Sequence, residues 1–569
     1  MKVRVPLMVQ DPEFARFKDL KQTEGFDITR EDYFLDGPVI ERVAVLDFDP
    51  ESDEVIKGAR FVPPKKGRVM GRYRVEDESN VRSPDFIQVN TFATVLKTIY
   101  EFEKSRLLGR RLTWAFEGPQ LLVVPRAGKW RNAFYERNSR SLQLFFFDDA
   151  RSPQNGNTVY TSLSRDIVAH ETGHAILDGI APDLYHATAP QSLALHEAIA
   201  DLTALMMAFA SHNLRKAVLD STGGSIKNST AFSAVAEEFA TAYSADEHVG
   251  WLRNLKNDKN LIEGDPNCVA GSGPHKLSEV LSGALYEVMI KIHEAEKRRW
   301  AAEAGKSEFA VSGKALAVGG GRFERLVFRA LDYLPPGEVS FADYGRAVLA
   351  ADEAHNPHHE QERAWIREEF VRRNIVADAA ALDSETNFDY AGLADVDLEE
   401  LCRSDWLAYQ FATQHWEFLR IPEGFPFEVH PRRIVEKTYY LPDGTPKVRE
   451  CLFRVSWTQT EPNNLGSRFP AGRRFQVGTT LAIDCDTKKV RTLLTSDNTD
   501  RPGERDDQQR DRDRFLQDLA ARGILRMGEG AAGPDGRPRA SAIRAEEMSG
   551  YMRVYDTARM LHIVEAEAI

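Results

Sequence analysis

Residues 167–180, IVAHETGHAILDGI, carry His170 and His174 four positions apart inside an apolar run. On a helix those two side chains share one face. They are either a metal site or two histidines that happen to stand four apart, and more of the reading of this chain hangs on that stretch than on any other. Twenty-three residues after His174, the run LALHEAIADLTALMMAF supplies Glu197 and Asp201 on one face of a second apolar helix, expected from about Gln191 to Ser211.

Imidazole nitrogen is a natural zinc ligand, and a catalytic zinc site needs three protein ligands and one open position. The arrangement HExxHxxGxxH is excluded, because Leu177 and Ile180 occupy its glycine and third-histidine positions. A glutamate from a following helix is the other common solution, and Glu197 can complete a His170/His174/Glu197 set. Asp201 can then accept the outer N–H of a ligating histidine. Glu171 sits on a neighbouring edge of the first helix, where a carboxylate can act as general base without ligating the metal. The bland alternative is an acidic edge on a surface helix. The apolar neighbours Ile199, Ala200, Leu202, Leu205 and Met206 favour burial instead.

Together these residues resemble the thermolysin-like zinc metallopeptidases, the gluzincin group, which pair HExxH on one helix with ExxxD on the next. The likeness extends outward. Tyr185 stands eleven residues after the second histidine, where the family has a transition-state tyrosine. Asn132-Ala133-Phe134-Tyr135 matches the family's substrate-gripping edge strand, which assigns substrate contacts to Asn132 and Ala133. Gly271-Ser272-Gly273-Pro274-His275 resembles the glycine-rich turn before the family's catalytic histidine, which gives that role to His275. The resemblance covers roughly residues 85–375. It implies an endopeptidase with zinc as cofactor and a protein or peptide as substrate. Three departures stand out. The loop between the two ligand helices looks about three residues longer than in thermolysin. Asp166 keeps one calcium-binding acid, but Ala208 replaces another, which argues against a double calcium site. The acid that would orient His275 is not obvious, Asp265 being a loose candidate.

The 569-residue length suggests two to four domains. The expected class is α+β. Residues 1–84 read as a small β-rich region, 85–375 as the catalytic domain, 376–424 as an acidic connection and 425–569 as a separate β-rich domain. In that last region RIVEKTYYLPDGTPKVRECLFRVSW predicts a hairpin about Pro442-Asp443-Gly444, and RFQVGTTLAIDCDTKKVRTLL a second. DNTDRPGERDDQQRDRDR and GEGAAGPDGRPR read as solvated loops.

A net charge of −13 with no strongly basic segment argues against nucleic acid as a partner. No apolar run approaches the roughly 18 residues that span a bilayer. The N-terminus carries no secretory pattern, which predicts a cytoplasmic protein. Cys268, Cys402, Cys451 and Cys485 are far apart and predict buried free thiols. His186 and His196 read as packing or loop residues, and His355, His358 and His359 as a solvated helix start. LFFFDD at 144–149 reads as core strand. The competing expectation is a non-catalytic binding or regulatory protein acting through its C-terminal domain; hydrolysis of a non-peptide amide is a third. Retention of every ligand, Glu171, Tyr185 and His275 favours activity.

Overall fold

A computed structural model describes residues 1–9, 17, 20–52, 54–77, 80–149, 158–228, 232–235, 253–356, 360–438, 447–528 and 543–558. The protein is mixed α+β. Its described helices are α1 (Pro84–Glu103), α2 (Arg165–Ile180), α3 (Pro190–Ala210), α4 (His212–Ser221), α5 (Pro274–Ala304), α6 (Glu308–Arg329), α7 (Phe341–His355), α8 (Glu360–Arg372), α9 (Leu398–Arg403), α10 (Asp405–Gln414) and α11 (Pro502–Ala521).

Capping places several boundaries that periodicity leaves open. α1 begins six residues before the Asn90 expected from its apolar spacing, because Ser83 caps the Phe86 amide and Pro84 takes the first helical position. Ser164 caps α2 through the Ile167 amide. Contrary to the expectation that no run approaches a membrane-spanning length, α3 is long and apolar enough to cross a membrane, yet it is almost entirely buried inside the protein. It is a core helix packed against α2 and α5.

Two small sheets lead into this helical body. Thr23–Ile28, Lys2–Met8, Met70–Tyr73 and Phe61–Val62 form the first. The second runs Val43–Val45, Leu121–Val124, Ser141–Leu144, Ala133–Glu136, with the last strand at the edge and antiparallel to its neighbour. Within the LFFFDD run, Phe146–Asp148 pairs with Thr158–Tyr160.

A nine-stranded sheet fills the C-terminal part. Both hairpins form: Arg433–Thr438 pairs with Lys447–Pro462, and Gly472–Asp484 with Val490–Thr495. The Pro442-Asp443-Gly444 turn and most of GEGAAGPDGRPR lie outside the described residues. The acidic connection is more than a linker: Thr386–Phe388 joins this sheet beside Val490–Thr495, and α9 and α10 pack on the sheet. The charged run expected as a loop is α11. Its Arg512 is buried and donates to both Glu461 oxygens at 2.8 Å, and Leu516 and Leu519 are buried beside it. A stripe of only two leucines among charges is too thin for periodicity to reveal.

The long strand Lys447–Pro462 has two buried faces. Cys451, Phe453, Val455 and Trp457 meet α9, α10 and their flanking turns. Glu450, Leu452 and Arg454 meet the helical body. There Lys437 lies fully buried between Asp332 (2.9 Å) and Glu450 (2.8 Å), and the Tyr333 hydroxyl donates to Glu450 at 2.8 Å. His355 ends α7 within this cluster, 3.4 Å from Glu450, so it is not part of a solvated helix start. His358 and His359 fall outside the described residues. Gly337 (φ +88°) bridges to Val477, where a Cβ would meet the Gln476 carbonyl at 2.2 Å. One hydrophobic cluster runs from Val3 through α2, α3 and α5 to Val435, Leu452 and Ala482.

Candidate metal centre

α2 and α3 lie unusually close where the site forms. Gly173, between the two motif histidines, allows this: a Cβ there would meet Thr203 Oγ1 at 2.9 Å and Ala200 Cα at 3.1 Å. The approach brings Glu197 beneath the imidazoles. His170 Nε2 and His174 Nε2 face each other at 3.0 Å, and each lies 3.5 Å from a Glu197 carboxylate oxygen. One donor atom from each of the three residues can be chosen so that all lie within 4.8 Å of one another, and all three residues are buried.

The outer ring nitrogens are engaged elsewhere. His170 Nδ1 is 3.0 Å from Asp201 Oδ1. His174 Nδ1 is 2.6 Å from His196 Nδ1. Two Nε2 atoms at 3.0 Å cannot both carry a proton towards each other, so at least one directs a lone pair into the shared space. Two imidazoles and a carboxylate, buried and turned inward, form a donor set that can hold a metal ion.

Electrostatics follow from burial against charge. Burial disfavours the charge on His170, but the hydrogen bonds it donates to the Asp201 and Glu197 carboxylates overcome this and raise it to about 9. Burial pushes Glu171 up to about 7, with Glu197 adding to the rise; His170, Arg253 and the Tyr135 amide pull the other way. That amide donates to Glu171 Oε2 at 3.1 Å, tying the edge strand to α2. Burial lowers His196 to about 4, which keeps it neutral beside His174. Asp201 is buried, yet Arg253 and His170 hold it below the usual carboxylate range.

Arg253 is the principal residue that sequence reasoning missed. Its Nε and Nη2 grip Asp201 at 2.7–3.0 Å, and Nη2 also lies 3.3 Å from His170 Nδ1. It stands 52 positions beyond Asp201 in a stretch without periodic pattern, so nothing local marks it. His196 was legible in principle. The outer nitrogen of His174 needs a partner just as that of His170 does, and the position beside Glu197 can supply one.

His275 opens α5 behind Gly273 and Pro274, with Nε2 3.2 Å from Glu197 Oε2. Its side chain is 19% exposed, the most open of the cluster. Asp265 does not serve it: that carboxylate caps its own turn through the Asn267 amide at 2.7 Å. Tyr185 is buried, and among the described residues its hydroxyl has one partner, the Arg137 amide at 3.3 Å. Asn132 Oδ1 accepts the following Ala133 amide at 2.8 Å, so the two residues bind each other. Asp166 pairs with Arg165, and Ala208 is buried in α3. His186 lies between Arg137 Nη1 (2.9 Å) and the Asp556 amide (3.1 Å), at the edge of the cluster.

No family model matches this chain. No curated protein matches it either.

Proposed function

We propose that this chain is a zinc-dependent endopeptidase of the thermolysin-like kind. The carrying observation is the inward convergence of His170, His174 and Glu197, with outer nitrogens engaged by Asp201 and His196 and with Glu171 alongside. Bound there, zinc supplies Lewis acidity, which lowers the pKa of a water towards about 7 and polarises a carbonyl.

The chain's own groups do the rest. Glu171 Oε2 is held by the Tyr135 amide, which leaves Oε1 to take a proton from the attacking water and return it to the leaving amine. Asp201, itself clamped by Arg253, fixes the ring orientation of His170. Burial raises Tyr185 above its ordinary value, so the phenol keeps its proton. Its oxygen accepts the Arg137 amide while its proton remains to be donated to a developing oxyanion. His275, the most open member, offers a second donor from the other side. A substrate strand beside Ala133–Glu136 would take the Ala133 amide once the Asn132 side chain releases it, while the Tyr135 and Arg137 amides stay on Glu171 and Tyr185.

The test is cleavage of an unfolded protein mixture by the purified chain. Chelation should abolish cleavage and zinc should restore it. Cleavage that persists through exhaustive chelation would remove the proposal.

A further inference from the structure

Three of the four cysteines converge in the C-terminal sheet although they are distant in sequence. Cys402 on α9 places its Sγ 3.5 Å from Sγ of Cys451, in the first half of the long strand Lys447–Pro462. Cys485 follows the neighbouring strand, its amide bonded to the Arg449 carbonyl at 2.9 Å. Cys268 lies apart, in the turn before α5.

The two touching thiols are unlike. Cys451 is fully buried among Leu401, Phe411, Phe453 and Leu481. Cys402 is only partly buried. A hydrogen bond from Cys451, helped by the Arg432 charge, holds Cys402 below the usual thiol value, while the same contact and burial push Cys451 up. An accessible, more acidic thiol against a buried one is the arrangement of an attacking and a resolving cysteine.

We propose that Cys402 and Cys451 form a peroxide-responsive dithiol that closes to a disulfide and pins α9 to the central strand of the sheet. The Cys402 thiolate attacks a peroxide oxygen, breaking the O–O bond and giving a sulfenic acid and hydroxide. The Cys451 sulfur then displaces the sulfenic oxygen, and its proton leaves with that oxygen as water. Two thiols and one hydrogen peroxide become one disulfide and two waters, the two sulfurs having given up two electrons. The sulfurs, 3.5 Å apart, must approach by about 1.5 Å to bond. Arg454 lies three residues along the same strand, on the opposite face, and holds the C-terminal carbonyl of α2. The clamp therefore acts on the strand that supports the ligand helix, and its formation does not depend on the hydrolytic reading.

The full-length chain is reduced, titrated with hydrogen peroxide, alkylated and mapped by mass spectrometry. The expected product is a Cys402–Cys451 cross-linked peptide, reversed by dithiothreitol, with Cys268 and Cys485 still alkylated. Cys485→Ser should form the same cross-link, and Cys402→Ser none. Oxidation should raise the thermal midpoint of the wild type by about 3 °C and leave Cys402→Ser unchanged. A cross-link to Cys485, or Cys402 advancing to sulfinic acid while Cys451 stays alkylable, would overturn the proposal.

Discussion

Gly173→Ala tests whether the close approach of α2 and α3 is what builds the metal centre. A methyl at 173 would sit 2.9 Å from Thr203 Oγ1 and 3.1 Å from Ala200 Cα and Thr203 Cβ. Non-bonded carbon atoms settle near 3.5–4.0 Å, so α3 must retreat by about 0.5 Å. Overpacking of this kind costs about 1–3 kcal/mol. Replacing a mid-helix glycine by alanine returns about 1 kcal/mol. The expected net loss of stability is therefore only about 1 kcal/mol. The ligands should feel the change more. Glu197 rides α3 one turn before Ala200, whereas both histidines ride α2. Metal–ligand distances tolerate only about 0.2 Å, so zinc affinity should fall ~10–100-fold. The assay is competition with a chromophoric chelator, beside urea unfolding of the metal-free protein. Affinity within twofold of wild type would refute the reasoning, whatever the stability change.

Two further outcomes follow from the buried polar contacts. Arg454 donates to the Ile180 carbonyl at 2.8 Å and the Asp332 carbonyl at 2.7 Å; Arg454→Met leaves both acceptors without their charged donor and should cost about 3–5 kcal/mol in urea unfolding, a loss below 1 kcal/mol counting against the coupling of the sheet to α2. Glu324 on α6 is buried, which pushes it up to about 7 despite its ion pair with Arg106. The folded state thus holds a proton that the unfolded chain releases near 4.5, so this residue's contribution to stability should fall by on the order of 3 kcal/mol as pH rises from about 4.5 to about 7, then level off. Glu324→Gln should flatten that part of the stability–pH curve, and an unchanged curve would contradict the assignment.

The sequence made the convergence of His170 and His174 legible because helical spacing is a local property. His170, Glu171 and His174 follow from one apolar helix, and Glu197 and Asp201 from a second with the same logic. The hairpins were legible through period-2 alternation and turn residues. What escaped is non-local. Arg253 reaches Asp201 from across the fold, and Asp265, near His275 in sequence, spends its carboxylate on its own turn. The linkage of the C-terminal sheet to the ligand helices also escaped. The loop joining α2 to α3 is held at successive points by distant residues: Ile180 by Arg454, Asp183 by the Gly337 amide, Tyr185 by Thr557, and Thr188 by Glu338, which Arg512 holds in turn. Each contact joins residues more than 140 positions apart, and no periodicity records that. Lys437 stands in an alternating strand among other charges, and only the fold puts Asp332 and Glu450 on either side of it.

The most direct measurement compares wild type with Glu171→Gln, reading bound zinc and cleavage of an unfolded protein mixture on the same samples. The account predicts equal zinc content and a cleavage rate lower by at least ~10³-fold in the variant. A variant that cleaves at a near-normal rate, or a wild type that binds zinc and cleaves nothing, would contradict it.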